Sequence, residues 1–385
     1  MSKSLKIGIV AGEESGNLLA VDLIKALNKK LSTVIDIIGV GGEELSQMGL
    51  KTIFKPDDIA LMGLGAILKK LPTLINKINE TAKFFVKQKP DCVILIDSPE
   101  FTHRVARKIK KLDPSIPIIK YVAPSVWAWR PERAKEMKTY IDHVLVILPF
   151  EVEVMQKLGG PKATYVGHHL VTNKNLLKAK EIREKRHSND EKMLIVLPGS
   201  RRSEIHSLMP VFGKTVSILN ERNKNLKVIL PTLSRLEKDI QEEVSKWDVK
   251  PEIVVGEDKK WNAFAKADAA LAASGTVSLE LALTGIPMQL SYRADWFVKM
   301  FLAHKITIWS AALPNIIADE FIVPEAFNEF IRPGLLARTL EGLMKNGPLR
   351  QAQLDGFSKI WSLMKTKQPS GDLAANVVID ILQLK

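Results

Sequence analysis

Short apolar runs alternate with stretches of helical spacing along most of the chain. Ile7–Val10, Ile35–Val40, Val93–Ile96, Ile116–Val122, Val144–Ile147 and Thr164–Val166 are strand-length and apolar. Between the first two, Leu18, Leu19, Leu23, Ala26 and Leu27 recur at the spacing of one helix face. Runs that are apolar almost throughout predict strands covered on both faces, and their alternation with helices predicts a parallel, wound sheet. The stretch 168–192 is polar, holds a His187-Ser188-Asn189-Asp190 turn cluster, and reads as a connection carrying a helix. The pattern then restarts with Leu194–Leu197, Val228–Leu230, Ile253–Val255, Ala269–Ala272 and Met288–Leu290. Leu373–Leu384 predicts a last helix long enough to pack back on the first domain.

The expected architecture is α/β: two doubly wound Rossmann-like domains facing a central cleft. The first spans 1–170 and is joined by the terminal helix, about 365–385; 171–192 is a linker, and 193–364 is the second domain. Ligands are expected at the carboxyl ends of the strands. A length of 385 residues and 46% hydrophobic content agree with two ordinary cores. The one cysteine, Cys92, lies in an apolar run. It can form neither an internal disulfide nor a metal cluster, which fits a reducing cytosol. No signal peptide is read: Lys3 and Lys6 precede a strand-length run that ends in a glycine turn. The apolar stretch Ile59–Leu68 is too short to span a bilayer.

A net charge of +13 draws the chain to polyanions. No zinc-finger spacing or aromatic-rich RNA-binding signature occurs, and four tyrosines give little stacking surface, so nucleic acid is not expected as a partner. Within 61–90, Lys69, Lys70, Lys77, Lys83, Lys87 and Lys89 face a single acid, Glu80. They lie beside Ile59, Leu61, Met62, Leu64, Ile67, Leu68, Leu71, Leu74 and Ile75, too many apolar residues for one buried stripe. Gly63, Gly65 and Pro72 are expected to break up any single helix here. Two readings stand: a lip docking on an anionic membrane surface, or a core helix with a solvated basic face. Trp296–Leu302 offers a second membrane contact or further core.

The chemistry-bearing motifs follow strands. Ala11-Gly12-Glu13-Glu14-Ser15-Gly16-Asn17 opens a helix, as an anion-accepting turn or a plain tight one. Asp97, in Ile96-Asp97-Ser98-Pro99-Glu100-Phe101, ends a buried strand, as a general base or a helix cap. Tyr121 to Arg130 concentrates Trp127, Trp129 and Arg130 at another strand end. In the second half, Gly199-Ser200-Arg201 combines backbone donors, a hydroxyl and a guanidinium suited to a pyrophosphate. Ser274-Gly275-Thr276 starts a helix whose Glu280 is placed to accept ribose hydroxyls. Together these predict a nucleoside-diphosphate site in the second domain.

In order along nearly the whole chain, Gly12-Glu13-Glu14-Ser15-Gly16, Pro124-Ser125-Val126-Trp127-Ala128-Trp129-Arg130, Leu197-Pro198-Gly199-Ser200-Arg201, Ala273-Ser274-Gly275-Thr276 and Leu313-Pro314-Asn315 closely resemble the lipid-A-disaccharide synthase family. The resemblance implies a GT-B glycosyltransferase acting at the inner face of the inner membrane of a Gram-negative bacterium. It implies transfer of 2,3-diacylglucosamine from UDP to the 6-hydroxyl of 2,3-diacylglucosamine 1-phosphate, with inversion. It places the base on Asp97, the phosphate-binding arginine on Arg201, the ribose glutamate on Glu280 and the Leu-Pro-Asn asparagine on Asn315. Gly12, Ser15, Gly16, Trp127 and Arg130 fall on the acceptor side. Two departures stand out: Asn17 where the family usually has aspartate, and Glu100-Phe101-Thr102 where it usually has Asp-Phe-Asn. No Asp-x-Asp motif occurs, so neither metal nor cofactor is expected. The expected partners are the two lipid sugars, an anionic lipid surface and a second copy in a homodimer. The competing readings are another UDP-sugar enzyme (an epimerase, or a transferase to a different acceptor) and a non-catalytic UDP-sugar or anionic-lipid binder.

Overall fold

The computed structural model describes residues 4–56, 64–186, 191–293 and 308–384, with side chains of the helix that starts at Leu64 described from Pro72. The chain divides into two compact units, Met1–His169 with Thr366–Lys385, and Leu170–Lys365.

In the first unit, β1 (Leu5–Ala11), β2 (Ile35–Val40), β3 (Lys51–Thr52), β4 (Cys92–Ile96), β5 (Ile118–Tyr121), β6 (His143–Val146) and β7 (Lys162–Tyr165) form one parallel sheet in the order β3-β2-β1-β4-β5-β6-β7. Helices α1 (Glu14–Lys30), α2 (Glu43–Gln47), α3 (Leu64–Gln88), α4 (Pro99–Leu112), α5 (Glu132–Met137) and α6 (Glu151–Lys157) connect them. The apolar runs have a direct explanation in β4. Cys92, Ile94 and Ile96 point into a core shared with α1, while Val93 and Leu95 point into another shared with α3 and α4.

Two expectations for 59–75 need correction. Helix α3 runs unbroken through Gly65 and Pro72. Pro72 removes one intrahelical hydrogen bond, but Leu74, Ile78, Ala82 and Phe85, one buried stripe, hold the following turns against the sheet. Leu74 therefore belongs to the core, whereas Ile75 is 48% exposed. Leu61 and Met62 lie outside the described residues, as do the side chains of Leu64, Ile67, Leu68, Lys69 and Lys70 and the stretch Trp296–Leu302. Among the described residues no helix is long and apolar enough to cross a membrane.

The second unit holds α7 (Lys174–Glu184), β8 (Lys192–Leu197), α8 (Arg202–Arg222), β9 (Leu226–Thr232), α9 (Glu237–Ser245), β10 (Glu252–Val255), α10 (Glu257–Lys266), β11 (Ala269–Ala273), α11 (Thr276–Thr284), β12 (Met288–Tyr292), α12 (Leu313–Ala318), β13 (Glu325–Phe327), α13 (Pro333–Met344) and α14 (Pro348–Met364). Its parallel sheet has the order β10-β9-β8-β11-β12-β13. Helix α7 is fastened here by Arg183, which donates to the carbonyls of Phe264, Ala267 and Gly285. The last helix, α15 (Ser370–Ile381), packs on α1 of the first unit. Gly371 permits that approach, since a Cβ there would stand 2.8 Å from the Asp22 carbonyl oxygen.

Both sheets are doubly wound. Strand order reverses between β1 and β4 in one and between β8 and β11 in the other. Crevices at such switch points are where this class of sheet binds ligands.

Candidate functional site

At the first switch point Ala11 pairs with Ile96, so the turns beginning at Gly12 and Asp97 leave adjacent strands. Gly12 and Gly16 are buried, and Ser15 is exposed. A Cβ on Gly16 would lie 3.4 Å from Ile96 and 3.9 Å from the Asp97 Cβ, ordinary contact distances that place the start of α1 beside the aspartate.

Asp97 and Ser98 both adopt left-handed backbone, with φ of 48° and 41°. That region costs an L-residue about 1–2 kcal/mol, and surrounding bonds hold the turn in it. The Asp97 N–H donates to the Tyr121 carbonyl at 3.1 Å. The Thr102 hydroxyl lies 2.9 Å from the Asp97 carbonyl oxygen and 3.0 Å from that of Ser98. Lys120, 1% exposed in β5, donates to the Asp97 carbonyl and to Thr102 Oγ1, the latter at 3.2 Å. Burial pushes its ammonium down to about 7, against the pull of the Asp97 and Glu13 carboxylates. On the next strand end Val122 has φ of 68°, an outlier for a β-branched residue.

Glu100 is ion-paired with Arg133 at 2.7 Å and Arg104 at 3.0 Å. Partial burial raises its pKa, but the two guanidiniums outweigh this and leave it below the usual carboxylate range. A carboxylate so held is a poor base. His103 Nδ1 lies 3.0 Å from the Tyr140 hydroxyl. Burial first, then Lys120 and three arginines, push this imidazole down to about 2, so it is neutral at physiological pH. Asn17 is buried; its Oδ1 accepts from the Gly42 N–H at 2.9 Å and its Nδ2 donates to Glu44. An aspartate there would set two carboxylates against each other, so Asn17 suits Glu44.

In the tryptophan-rich loop, Trp127 Nε1 donates to Glu151 Oε1 at 3.2 Å, and its ring meets Phe150 edge-on. Glu151 is 3% exposed and also accepts from the N–H groups of Leu148 and Ile147; burial lifts its pKa to about 7. Arg130, left-handed at φ 53°, stacks its guanidinium 4.1 Å from the Trp129 ring centroid.

In the second unit Ala272 pairs with Leu197, so the Gly199 and Ser274 turns flank the second switch point. Gly199 has φ of 114°, and a Cβ on it would stand 2.3 Å from Glu204 Oε2. That oxygen accepts from the N–H groups of Ser200 at 3.0 Å and Arg201 at 3.2 Å. The backbone donors expected to cradle a pyrophosphate are thus engaged by an internal carboxylate. The Arg201 side chain is 72% exposed at the start of α8, its guanidinium 3.4 Å from Glu204 Oε1.

Ser274 Oγ donates to the Ala311 carbonyl at 2.6 Å, and Gly275 and Thr276 are exposed at the start of α11. One turn on, Glu280 is ion-paired with Lys260 at 3.2 Å. Burial raises the Glu280 pKa, and the Lys260 ammonium offsets part of the rise. Asn315 needs a correction as a ligand contact. It is fully buried, its Oδ1 accepts from the N–H groups of Ile322 and Val323, and its Nδ2 is within bonding distance of Ser310, Val323 and Glu325. No polar atom is left for a substrate. It fastens the 310–325 segment, whose Ala311 carbonyl receives Ser274.

Lys120, Glu204 and Lys260 were not singled out from sequence. Only Lys120 left a signal, as a lysine in the middle of an apolar strand run. Among the described residues no group of three or more His, Cys, Asp or Glu side chains is arranged to hold a metal ion.

The family profile described as lipid-A-disaccharide synthetase matches residues 7–376. The lipid-A-disaccharide synthase of Nitrobacter winogradskyi is 42% identical over 381 residues, covering 99% of this chain and 96% of the relative. That of Bradyrhizobium diazoefficiens is 42% identical over 376 residues, covering 97% and 96%. Among solved structures, the S. aureus MnaA–UDP co-structure aligns with a TM-score of 0.62 at 15% identity over 98% of this chain and 96% of that one. Neisseria meningitidis UDP-GlcNAc 2-epimerase bound to UDP-GlcNAc aligns at 0.60 and 12% over 99% and 100%. These two likenesses bear on the fold: two Rossmann-like α/β domains of the GT-B kind.

Proposed function

The chain belongs to the lipid-A-disaccharide synthetase family, and from that premise we propose that it transfers 2,3-diacylglucosamine from UDP to the 6-hydroxyl of 2,3-diacylglucosamine 1-phosphate. The products are the disaccharide 1-phosphate and UDP. The observation that carries the reading is Asp97, fixed in a left-handed turn at the first switch point while the neighbouring carboxylate, Glu100, is committed to two arginines.

The Asp97 carboxylate takes the proton of the acceptor 6-hydroxyl. The oxygen attacks the anomeric carbon as the bond to UDP breaks, which inverts that carbon and puts negative charge on the departing diphosphate. The exposed Arg201 guanidinium and the start of α11 at Ser274, Gly275 and Thr276 stabilise that charge. Because Glu204 holds the N–H groups of Ser200 and Arg201, the Gly199–Arg201 turn acts through the arginine side chain. Glu280 accepts the ribose hydroxyls in exchange for Lys260, and Asn315 positions the loop behind Ser274. On the acceptor side Gly12, Gly16 and Ser15 shape the turn beside Asp97, Trp127 anchors its loop through Glu151, and Arg130, stacked on Trp129, suits the acceptor phosphate.

Residues 59–90, basic and apolar together, dock the enzyme on anionic lipid at the inner face of the inner membrane through Leu61, Met62, Leu64, Ile67, Leu68, Lys69 and Lys70. Each apolar side chain fully buried in the interface contributes roughly 1.5–3 kcal/mol and each lysine about 1 kcal/mol, enough for reversible binding. Leu64→Ser with Leu68→Ser should give a folded protein that no longer floats with anionic vesicles; unfolding instead would return both residues to the core. The activity itself is tested by mass spectrometry of products from UDP-diacylglucosamine and the monosaccharide phosphate. The disaccharide 1-phosphate is expected, and its absence beside intact or epimerised donor would reject the assignment.

A further inference from the structure

We propose that Lys120 is a positioning residue for the transfer: a buried strut that holds the Asp97–Ser98 turn in its left-handed form and so aims the Asp97 carboxylate. The inference rests on the reading of Asp97 as the base.

Lys120 sits in the middle of β5, paired across the sheet with Leu95 on one side and Val144 on the other. Its neighbours in the strand, Ile119 and Tyr121, are buried, and the side chain is withdrawn from water. Burying an ammonium in such surroundings is costly unless it is bonded. Its donors go to two acceptors, the Asp97 carbonyl oxygen and Thr102 Oγ1. Thr102, itself fully buried, reaches the carbonyl oxygens of Asp97 and Ser98. Lysine and threonine therefore grip one turn from below, and that turn carries two consecutive non-glycine residues at positive φ. The remaining titratable groups around the ammonium are Glu13, on the turn after β1, and the neutral His103 of α4.

A strut required only for folding would be poorly served by a lysine. Its pKa is lowered from 10.5 to about 7 in the fold, so between those values the unfolded chain binds more protons. The fold is then least favoured at and below pH 7 and gains stability as pH rises through that window. Lys120→Met removes this burden and strands no acceptor, because Thr102 still serves the Asp97 carbonyl.

The experiment is steady-state kinetics, UDP calorimetry and thermal melting of Lys120→Met, Asp97→Asn and the double variant. The expected result for Lys120→Met is a kcat lower by about 10–100-fold, the scale of a misplaced catalytic group. UDP affinity and donor KM should hold, and the melting temperature at pH 7 should be unchanged or raised. Added to Asp97→Asn, the substitution should cost little more, since both act through one carboxylate. Thr102→Val, which removes the other half of the grip without touching charge, should lower kcat in the same sense and decides the matter if Lys120→Met does not fold. Wild-type kcat in Lys120→Met, or a kcat loss matched by lost UDP affinity and a lower melting temperature, overturns the proposal while leaving Asp97 in place. Near-normal turnover in Asp97→Asn overturns the base assignment and this inference with it.

Discussion

The turns after β4 and β5 of one sheet and those after β8 and β10 of the other are built by opposite means. In the first unit, the residues at positive φ after β4 and β5 carry side chains: Asp97, Ser98 and Val122, followed by Arg130. In the second, the positive-φ residues after β8 and β10 are Gly199 and Gly256. Glycine enters that region without penalty, while any other residue is strained there. The choice follows the chemistry. In the first unit the turn must present the carboxylate proposed as the base, so a side chain is indispensable there, and the strain is offset by Lys120, Thr102 and the Tyr121 carbonyl. Where the turn must leave room for another group, here the Glu204 carboxylate 2.3 Å from a Cβ that Gly199 lacks, only glycine fits.

The largest effect expected from this contrast is at Asp97. Replacement by asparagine keeps the size and the left-handed preference but removes the proton acceptor. Turnover should fall on the order of 10²–10⁴ while UDP affinity, proposed to rest on the other unit, should be unchanged. A folded variant with near-normal turnover would mean that the strained turn serves packing alone.

A smaller effect is expected in the second unit, where the proposed nucleotide contacts are the exposed Arg201 and the ion-paired Glu280. Arg201→Ala should lose about 1.5–3 kcal/mol of UDP affinity, the range for hydrogen bonds to charged groups. Glu280→Gln should weaken UDP more than it weakens inorganic pyrophosphate, because Glu280 is the proposed ribose contact. Calorimetry with unchanged UDP binding in both variants would remove the nucleotide from these turns.

Sequence made the doubly wound domains readable wherever strands are covered on both faces. β4 is buried from end to end and β1 everywhere but Lys6, and both stand out as apolar runs. β3, Lys51–Thr52, escaped because it is two exposed residues with no apolar period, and β13, Glu325–Phe327, because it is three residues of which only Ala326 is buried. Pro72 was misjudged because local propensity speaks for an isolated helix, whereas α3 is held by Leu74, Ile78, Ala82 and Phe85 packing on the sheet. Strand-end position could be read for Asp97 and Gly199, but the partners that define their chemistry could not. Lys120 lies 23 residues from Asp97 in the chain and meets it only through strand pairing. Asn315 illustrates the same limit: a motif residue with the composition of a ligand contact is consumed by Ile322, Val323, Ser310 and Glu325.

The smallest effect tests the contrast most directly, by giving the first unit the second unit's solution. Ser98→Gly places a glycine at φ 41°. Three terms set the sign. Relief of left-handed strain favours the variant by about 1–2 kcal/mol, and the greater backbone freedom of glycine in the unfolded chain opposes it by roughly 0.5–1 kcal/mol. The Ser98 hydroxyl is buried and makes no hydrogen bond among the described residues, so its removal adds a gain. The net is a stabilisation of about 1 kcal/mol, a rise of roughly 2–4 °C in melting temperature for a unit of this size. Turnover should nevertheless drop a few-fold, because a glycine beside Asp97 lets the turn sample other conformations and loosens the aim of the carboxylate. Melting curves and kcat together decide the point. A variant both more stable and fully active would show that the side chain at 98 is incidental, and one less stable than the parent would show that the turn is not strained there.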